Sequence, residues 1–258
     1  TGWQAFFAFL VAFAAACGGL LAAAFHLANP KNAIKSFSQW RTSWLSREAW
    51  LSVTALIVMG IYALFAIFMD TRIAALGWLG AALCLATVYS TSMIYAQLKS
   101  IPRWNSQTTS VLFLILAVAG GSAVAGGWII SAALFLLTGA VQLWAWHDGD
   151  GKFQRTTSID AATGLGSIGS VRLFEPPHTG SNYLLDEMVY VVGRKHVQKL
   201  RIIAITLMSV LPAVIMFASA SLPATVIAVL LHLTGAMASR WLFFAEAEHV
   251  VGLYYGRT

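Results

Sequence analysis

Long apolar stretches recur along this chain, each close to the roughly 20 residues an α-helix needs to cross a ~30 Å hydrocarbon core. They fall at about 3–27, 49–69, 73–98, 109–125, 127–146, 202–219 and 223–244. The run 109–146 is too long for one crossing, and the glycine pairs Gly120-Gly121 and Gly126-Gly127 offer a break. Pro223 suits a first helical turn, and the last span is expected to continue as an interfacial helix to Tyr255. The runs are continuously apolar, without the period-two alternation of a β-barrel strand. In lipid the backbone must satisfy itself, so helices follow. With 59% hydrophobic and 10% charged residues, the composition excludes a soluble domain, a disordered chain and a secreted disulfide scaffold. The expected fold is an all-α polytopic membrane protein with seven visible transmembrane helices, and residues 1–258 read as one membrane domain. Cys17 and Cys84 lie inside apolar runs, so neither a disulfide nor a metal site is expected. The chain opens on an apolar segment with no basic leader, and its true start is expected upstream.

If every span crosses, the loops form two sets. One holds fourteen basic residues: Lys31, Lys35, Arg41, Arg47, Lys99, Arg103, Lys152, Arg155, Arg172, Arg194, Lys195, Lys199, Arg201 and Arg257. The other holds Arg72 alone. The positive-inside rule makes the first set cytoplasmic. Residues 148–196 then form a long cytoplasmic loop, and long ordered loops are usually functional. These charges flank apolar spans and have no aromatic-rich platform beside them, so no nucleic-acid partner is expected.

Ionisable groups at membrane depth are costly. His26 ends the first span, where a cation offsets the helix dipole, and Pro30 can stop that helix. Glu48 reads as a first-turn acid if Ser46 caps the second span. Alone, each fits a structural role. Together they bracket one short loop at one membrane face, and an imidazole with a carboxylate at an apolar boundary suits proton exchange with a quinone. Most of the ten tryptophans and seven tyrosines belong to interfacial belts, with Trp40, Trp44, Trp50 and Trp104 as candidates to stack on a quinone ring. Arg240 is the one basic residue well inside a span. Its ordinary reading is snorkelling or pairing with Glu246 or Glu248, and its functional reading is a wall of the quinone site. Bis-histidine haem needs paired histidines on different helices. Only His232 lies well inside a span, while His26, His147, His178, His196 and His249 sit near the cytoplasmic side; His26 and His147 could supply a haem there, but nothing demands it and none is expected. No nucleotide-binding or hydrolytic motif appears. A haem b cytochrome subunit and a small-solute transporter stay open as alternatives.

The block HLANPKNAIKSFSQWRTSWLSRE, residues 26–48, resembles the HLG-x-P-x-x-A…S-x-E segment of the dimethyl sulfoxide reductase anchor-subunit family. QWRTSWLSRE, LFEPPHTGSNYLLDEMVYVVGRKH and RWLFFAEAEHVVGLYYG resemble most its sulfite-oxidising branch. The resemblance covers nearly the whole chain. It implies an eight-helix, haem-free bundle whose first helix would lie upstream of residue 1. It also implies quinone-site roles for His26 and Glu48, which stand 22 residues apart as in the family. Ala28 departs from the family's usual glycine. The implied function is a membrane anchor that passes electrons between a partner's iron–sulfur subunit and ubiquinone or menaquinone. Molybdopterin catalysis would lie in a third subunit. In the dimethyl sulfoxide branch the His-bearing loop looks periplasmic. Here four basic residues make it cytoplasmic, which favours sulfite oxidation to sulfate, with the partners on the cytoplasmic face of a bacterial inner membrane. A quinol-oxidising dimethyl sulfoxide reductase-type complex is the alternative. The loop 148–196 is expected to dock the iron–sulfur partner.

Overall fold

The computed structural model describes residues 2–25, 30–175, 180 and 191–255. Among the described residues all regular structure is helical. Seven helices are long and apolar enough to cross a membrane. They are α1 (Gly2–Phe25), α2 (Trp44–Phe68), α3 (Ala74–Ala96), α4 (Gln107–Val124), α5 (Trp128–Gly149), α6 (Val197–Ala218) and α7 (Leu222–Ala245). Short 3-10 helices cover Pro30–Phe37 and Val250–Tyr255. Within 148–196, Lys152–Thr156, Ile159–Thr163 and Val191–Lys195 are helical, while residues 176–179 and 181–190 lie outside the described residues.

Helix ends depart from the apolar boundaries for identifiable reasons. The second span, expected from Ala49, starts at Trp44 because extended Ser43 is the cap, its Oγ accepting from Ser46 N at 3.5 Å. Ser46 is therefore not the cap. Its hydroxyl donates to the Ser36 carbonyl and accepts from Gln39 N at 3.1 Å, tying the 3-10 helix to α2. Glu48 consequently falls beyond the first turn, and the dipole role expected of it does not hold. The break between α4 and α5 uses Gly126, whose φ of +86° favours glycine, and Gly127 precedes α5. Ser221 caps α7, with Pro223 in the first turn. The expected continuation of that helix to Tyr255 is wrong. It stops at Ala245, because Arg194 draws off the carbonyls of Ala245 and Ala247 and Val250 N donates to Ser100 O. In α6 a π turn spans Thr206–Val210.

The contacts divide the chain within α3, into two compact units of residues 1–94 and 95–258. In the first unit α1 packs on α2 and on the 3-10 helix, and Gly77 and Gly80 of α3 admit Tyr62 and Met59 of α2. In the second unit α4, α5, α6 and α7 pack around Ala119, Ala123, Ala132, Phe135, Ala213, Met216 and Ala228. Lipid tails are as apolar as leucine, so small residues that permit close packing hold such helices together. A Cβ at Gly235 would collide with the Met208 backbone. Interhelical bonds add to this, including Ser239 Oγ to Gln142 Oε1 at 2.5 Å. Large apolar side chains point outward instead: Trp78 is 78% and Met237 73% exposed, as lipid-facing residues should be.

Candidate functional site

In the first unit, α1, α2 and α3 enclose a cavity of about 510 Å³. The sequence makes this space on α1, where Ala12, Ala15, Ala16, Gly19 and Ala23 fall on one face and leave room opposite α2 and α3. Leu56 and Met59 of α2 and Phe9 and Phe13 of α1 complete an apolar wall. The volume lies inside the roughly 300–1,000 Å³ range of small-molecule sites. Glu48 is its one charged lining residue, joined by Ser52, Cys84, Thr87 and Thr91.

Thr91 Oγ1 donates to Glu48 Oε1 at 2.6 Å and lies 3.0 Å from the Thr87 carbonyl. One hydroxyl carries one hydrogen, so these are alternatives. Towards a carboxylate, Thr91 donates to Glu48. Towards a carboxylic acid, it accepts from Glu48 and turns its hydrogen to Thr87 O. The pair satisfies Glu48 in both protonation states, which a group that exchanges protons inside an apolar wall requires.

The other residues singled out by the sequence are placed as follows. His26 lies outside the described residues, as do His178 and Arg257. Trp44 lines a separate groove of about 730 Å³ with Phe37, Trp40, Arg47, Trp50 and Tyr89, and is not in the wall that Glu48 faces. Its ring meets Tyr89 edge-on at 5.9 Å and lies 4.3 Å below the Arg47 guanidinium. Trp104 belongs to the second unit, stacked on Phe243 at 5.0 Å with its Nε1 donating to the Phe243 carbonyl.

Arg240 also lies in the second unit. Its guanidinium sits 4.1 Å from the Phe243 ring and 4.2 Å from Phe113, with Tyr95 and Phe244 further out. With Arg103, Gln142 and Ser239 it lines a small cavity of about 30 Å³. The pairing expected with Glu246 or Glu248 is absent, because those carboxylates are engaged elsewhere. Glu246 lies 2.5 Å from Arg201 and 3.8 Å from Arg103, and Glu248 accepts from Gln154. Asp150 completes the cluster, with Arg201 bridging both its oxygens at 2.6 and 2.7 Å and Arg103 at 2.8 Å. These bonds, Arg201's foremost, hold the Asp150 carboxyl at about 2 against its partial burial. Burial pushes Glu246 the other way, upward, opposed by the two guanidinium groups.

Among the described residues no three His, Cys, Asp or Glu side chains gather where a metal ion would be held. His232 is buried between the carbonyls of Met208, 2.7 Å from Nδ1, and Leu116, 3.4 Å from Nε2.

The family of the DMSO reductase anchor subunit (DmsC) matches residues 5–256. The chain belongs to this family. It is a membrane anchor subunit of a molybdoenzyme. A sulfite dehydrogenase subunit from Allochromatium vinosum is 27% identical over 276 aligned positions, covering 95% of this chain and 84% of that protein. No solved structure matches the anchor.

Thr91 is the site residue the anchor's sequence does not advertise. A threonine inside an apolar span ordinarily bonds the carbonyl four residues back, and Thr91 has that option too. The available signal is the Cys84, Thr87, Thr91 row, at helical spacing on one face of α3.

Proposed function

We propose that this anchor is the quinone-reactive subunit of a sulfite-oxidising molybdoenzyme, passing electrons from an iron–sulfur partner to ubiquinone or menaquinone. The observation that carries the reading is the apolar cavity of α1, α2 and α3 with Glu48 as its one charged lining residue. An apolar wall accommodates a quinone ring and the start of its isoprenoid tail, and the carboxyl group supplies a hydrogen-bonding and proton-exchanging end. A quinone bound there supplies two-electron, two-proton chemistry. Glu48 donates a proton to the bound oxygen, and Thr91 supports the carboxyl before and after. His26, 22 residues earlier in sequence, is the second proton-carrying group of the proposal. Trp44 and Arg240 enter it only as supports of the surrounding structure, Trp44 beside the start of α2 and Arg240 within its aromatic box. The relative's name, sulfite dehydrogenase, favours sulfite as the electron donor for the complex. The fourteen-to-one basic asymmetry favours molybdopterin and iron–sulfur subunits docked on the cytoplasmic face of the inner membrane.

Glu48→Gln and His26→Ala, made in the assembled complex, test this. Each is expected to lower sulfite-to-quinone turnover by about 10²-fold or more, the scale of a lost general acid, while sulfite oxidation with an artificial dye acceptor stays near wild type. Wild-type quinone reduction in both variants overturns the site. Absence of sulfite oxidation with dye in the wild-type complex overturns the substrate.

A further inference from the structure

The groove on the other side of α2 carries a separate inference. Residues 30–47 contain four basic side chains, Lys31, Lys35, Arg41 and Arg47, and no acid. Two of their guanidinium groups lie on tryptophans that wall the groove, Arg47 on Trp44 at 4.3 Å and Arg41 on Trp40 at 5.4 Å. Arg47 is engaged, its Nε donating to the Trp40 carbonyl at 3.0 Å and its Nη2 to the Arg41 carbonyl at 2.7 Å. Those bonds hold the Trp40–Arg41 turn against α2. Arg41 is exposed, and among the described residues its guanidinium has neither an ion pair nor a hydrogen bond. Arg47 lines the groove, while Arg41 reaches it only through the Trp40 ring, and the remaining walls of this space of about 730 Å³ are mostly apolar, with Phe37, Trp50, Leu51 and Ala86 beside Tyr89 and Ser90. It opens at the N-terminal end of α2 and the C-terminal end of α3, a boundary of the spanning region where tryptophan and tyrosine meet lipid headgroups.

An occupant that matches this surface has an anionic head that accepts from a guanidinium and a tail that lies on aromatic walls. The geometry points to a specific site for one anionic phospholipid, its phosphate at Arg41 and an acyl chain in the Trp40–Trp44–Trp50 groove. Zwitterionic lipids offer the same phosphate, but their head carries a cation into a segment with four positive charges and no negative one. A protein partner would have to present a phosphate-like acid and an apolar chain at the same depth, so lipid is the better match. The site stands whether or not the cavity at Glu48 binds quinone.

The intact complex, purified in detergent, is offered equal amounts of phosphatidylglycerol and phosphatidylcholine with the same acyl chains, and bound lipid is counted by native mass spectrometry. Wild type retains phosphatidylglycerol in preference. Arg41→Gln lowers that retention about fivefold, the scale of one basic group acting on an anionic headgroup. Lys35→Gln, which removes the same charge from the same segment at a residue that does not lie on a groove tryptophan, leaves retention within about twofold. Equal retention of the two lipids by wild type overturns the site. An equal loss in Lys35→Gln shows diffuse attraction and also overturns it. Loss of partner subunits from Arg41→Gln with lipid retention unchanged assigns the groove to a protein and overturns it as well.

Discussion

A carboxyl group in an apolar wall is stable only if both of its protonation states find partners, and Thr91 provides them for Glu48 with a single hydroxyl. On the proposed reading of the cavity, Thr91 is a positioning residue whose effect is visible only when Glu48 works. Thr91→Val keeps the shape and removes the hydroxyl. It is expected to slow quinone-coupled turnover roughly 10–100-fold, the kinetic equivalent of a hydrogen bond to a charged group. Thr91→Ser should restore most of the rate, and dye-coupled oxidation should not change in either variant. Steady-state rates with the two acceptors decide it: equal slowing of both reports a folding defect and removes the positioning role. At this scale the sequence reveals Glu48, since a carboxylate beside an apolar span is conspicuous. It conceals Thr91, since a threonine in a helix has a backbone partner four residues away. It also offers Glu246 as one of the partners for Arg240, and that pair does not form. Sequence proximity suggests that pair, whereas Arg103 and Arg201, from distant segments, reach the carboxylate first.

At the scale of elements, apolar length announces the helices but does not set their ends. Ser43, Arg194 and Ser221 act on backbone groups just outside the apolar runs, so α2 starts five residues before its expected Ala49 and α7 ends without reaching Tyr255. The ion cluster is the clearest case of an element-level device that hydropathy cannot show. Asp150, at the end of α5, clamps Arg201 of α6 and Arg103 ahead of α4, while Glu246, at the end of α7, meets the same two arginines. The ends of α5, α6 and α7 and the segment ahead of α4 are tied together at one end of the second unit. The Asp150 carboxyl titrates near 2 in the folded state, below its ordinary 3.8. A depressed carboxyl contributes stability that is fully present above the unfolded value and is lost as pH falls through the folded one. The window is therefore about pH 4 to 2. Asp150→Asn should lower the unfolding midpoint of the purified protein by about 2–4 °C at pH 6, a modest amount because the carboxyl is partly exposed to solvent. That difference should shrink to nothing as the pH is lowered towards 2. A difference that persists undiminished at pH 2 means the aspartate acts through shape and hydrogen bonding, not through its charge.

For the whole molecule, the strongest sequence signal is orientation, because basic residues resist translocation and acids count little. Fourteen basic residues on one set of loops against Arg72 on the other is an asymmetry that survives removal of the longest loop, at seven against one. The two compact units do not weaken this, since it depends on which loops alternate along the chain and not on how the units pack. The orientation also limits where partners dock. On the proposed reading, an iron–sulfur subunit approaches the face that carries the loop of residues 148–196, where Phe174 is 90% and Ile168 82% exposed and Arg172 is exposed between them. Trypsin has an open site at Arg172. In inside-out vesicles it should therefore cut within this loop, and in sealed right-side-out vesicles the loop should stay uncut, with Arg72 the one loop site open to cleavage. If the partner covers this loop, cleavage in inside-out vesicles should be slow while the complex is intact and fast after the peripheral subunits are stripped. Cleavage only from the outer side reverses the orientation and removes the cytoplasmic docking face. Fast cleavage that is indifferent to stripping keeps the orientation and moves the partner's footprint off this loop.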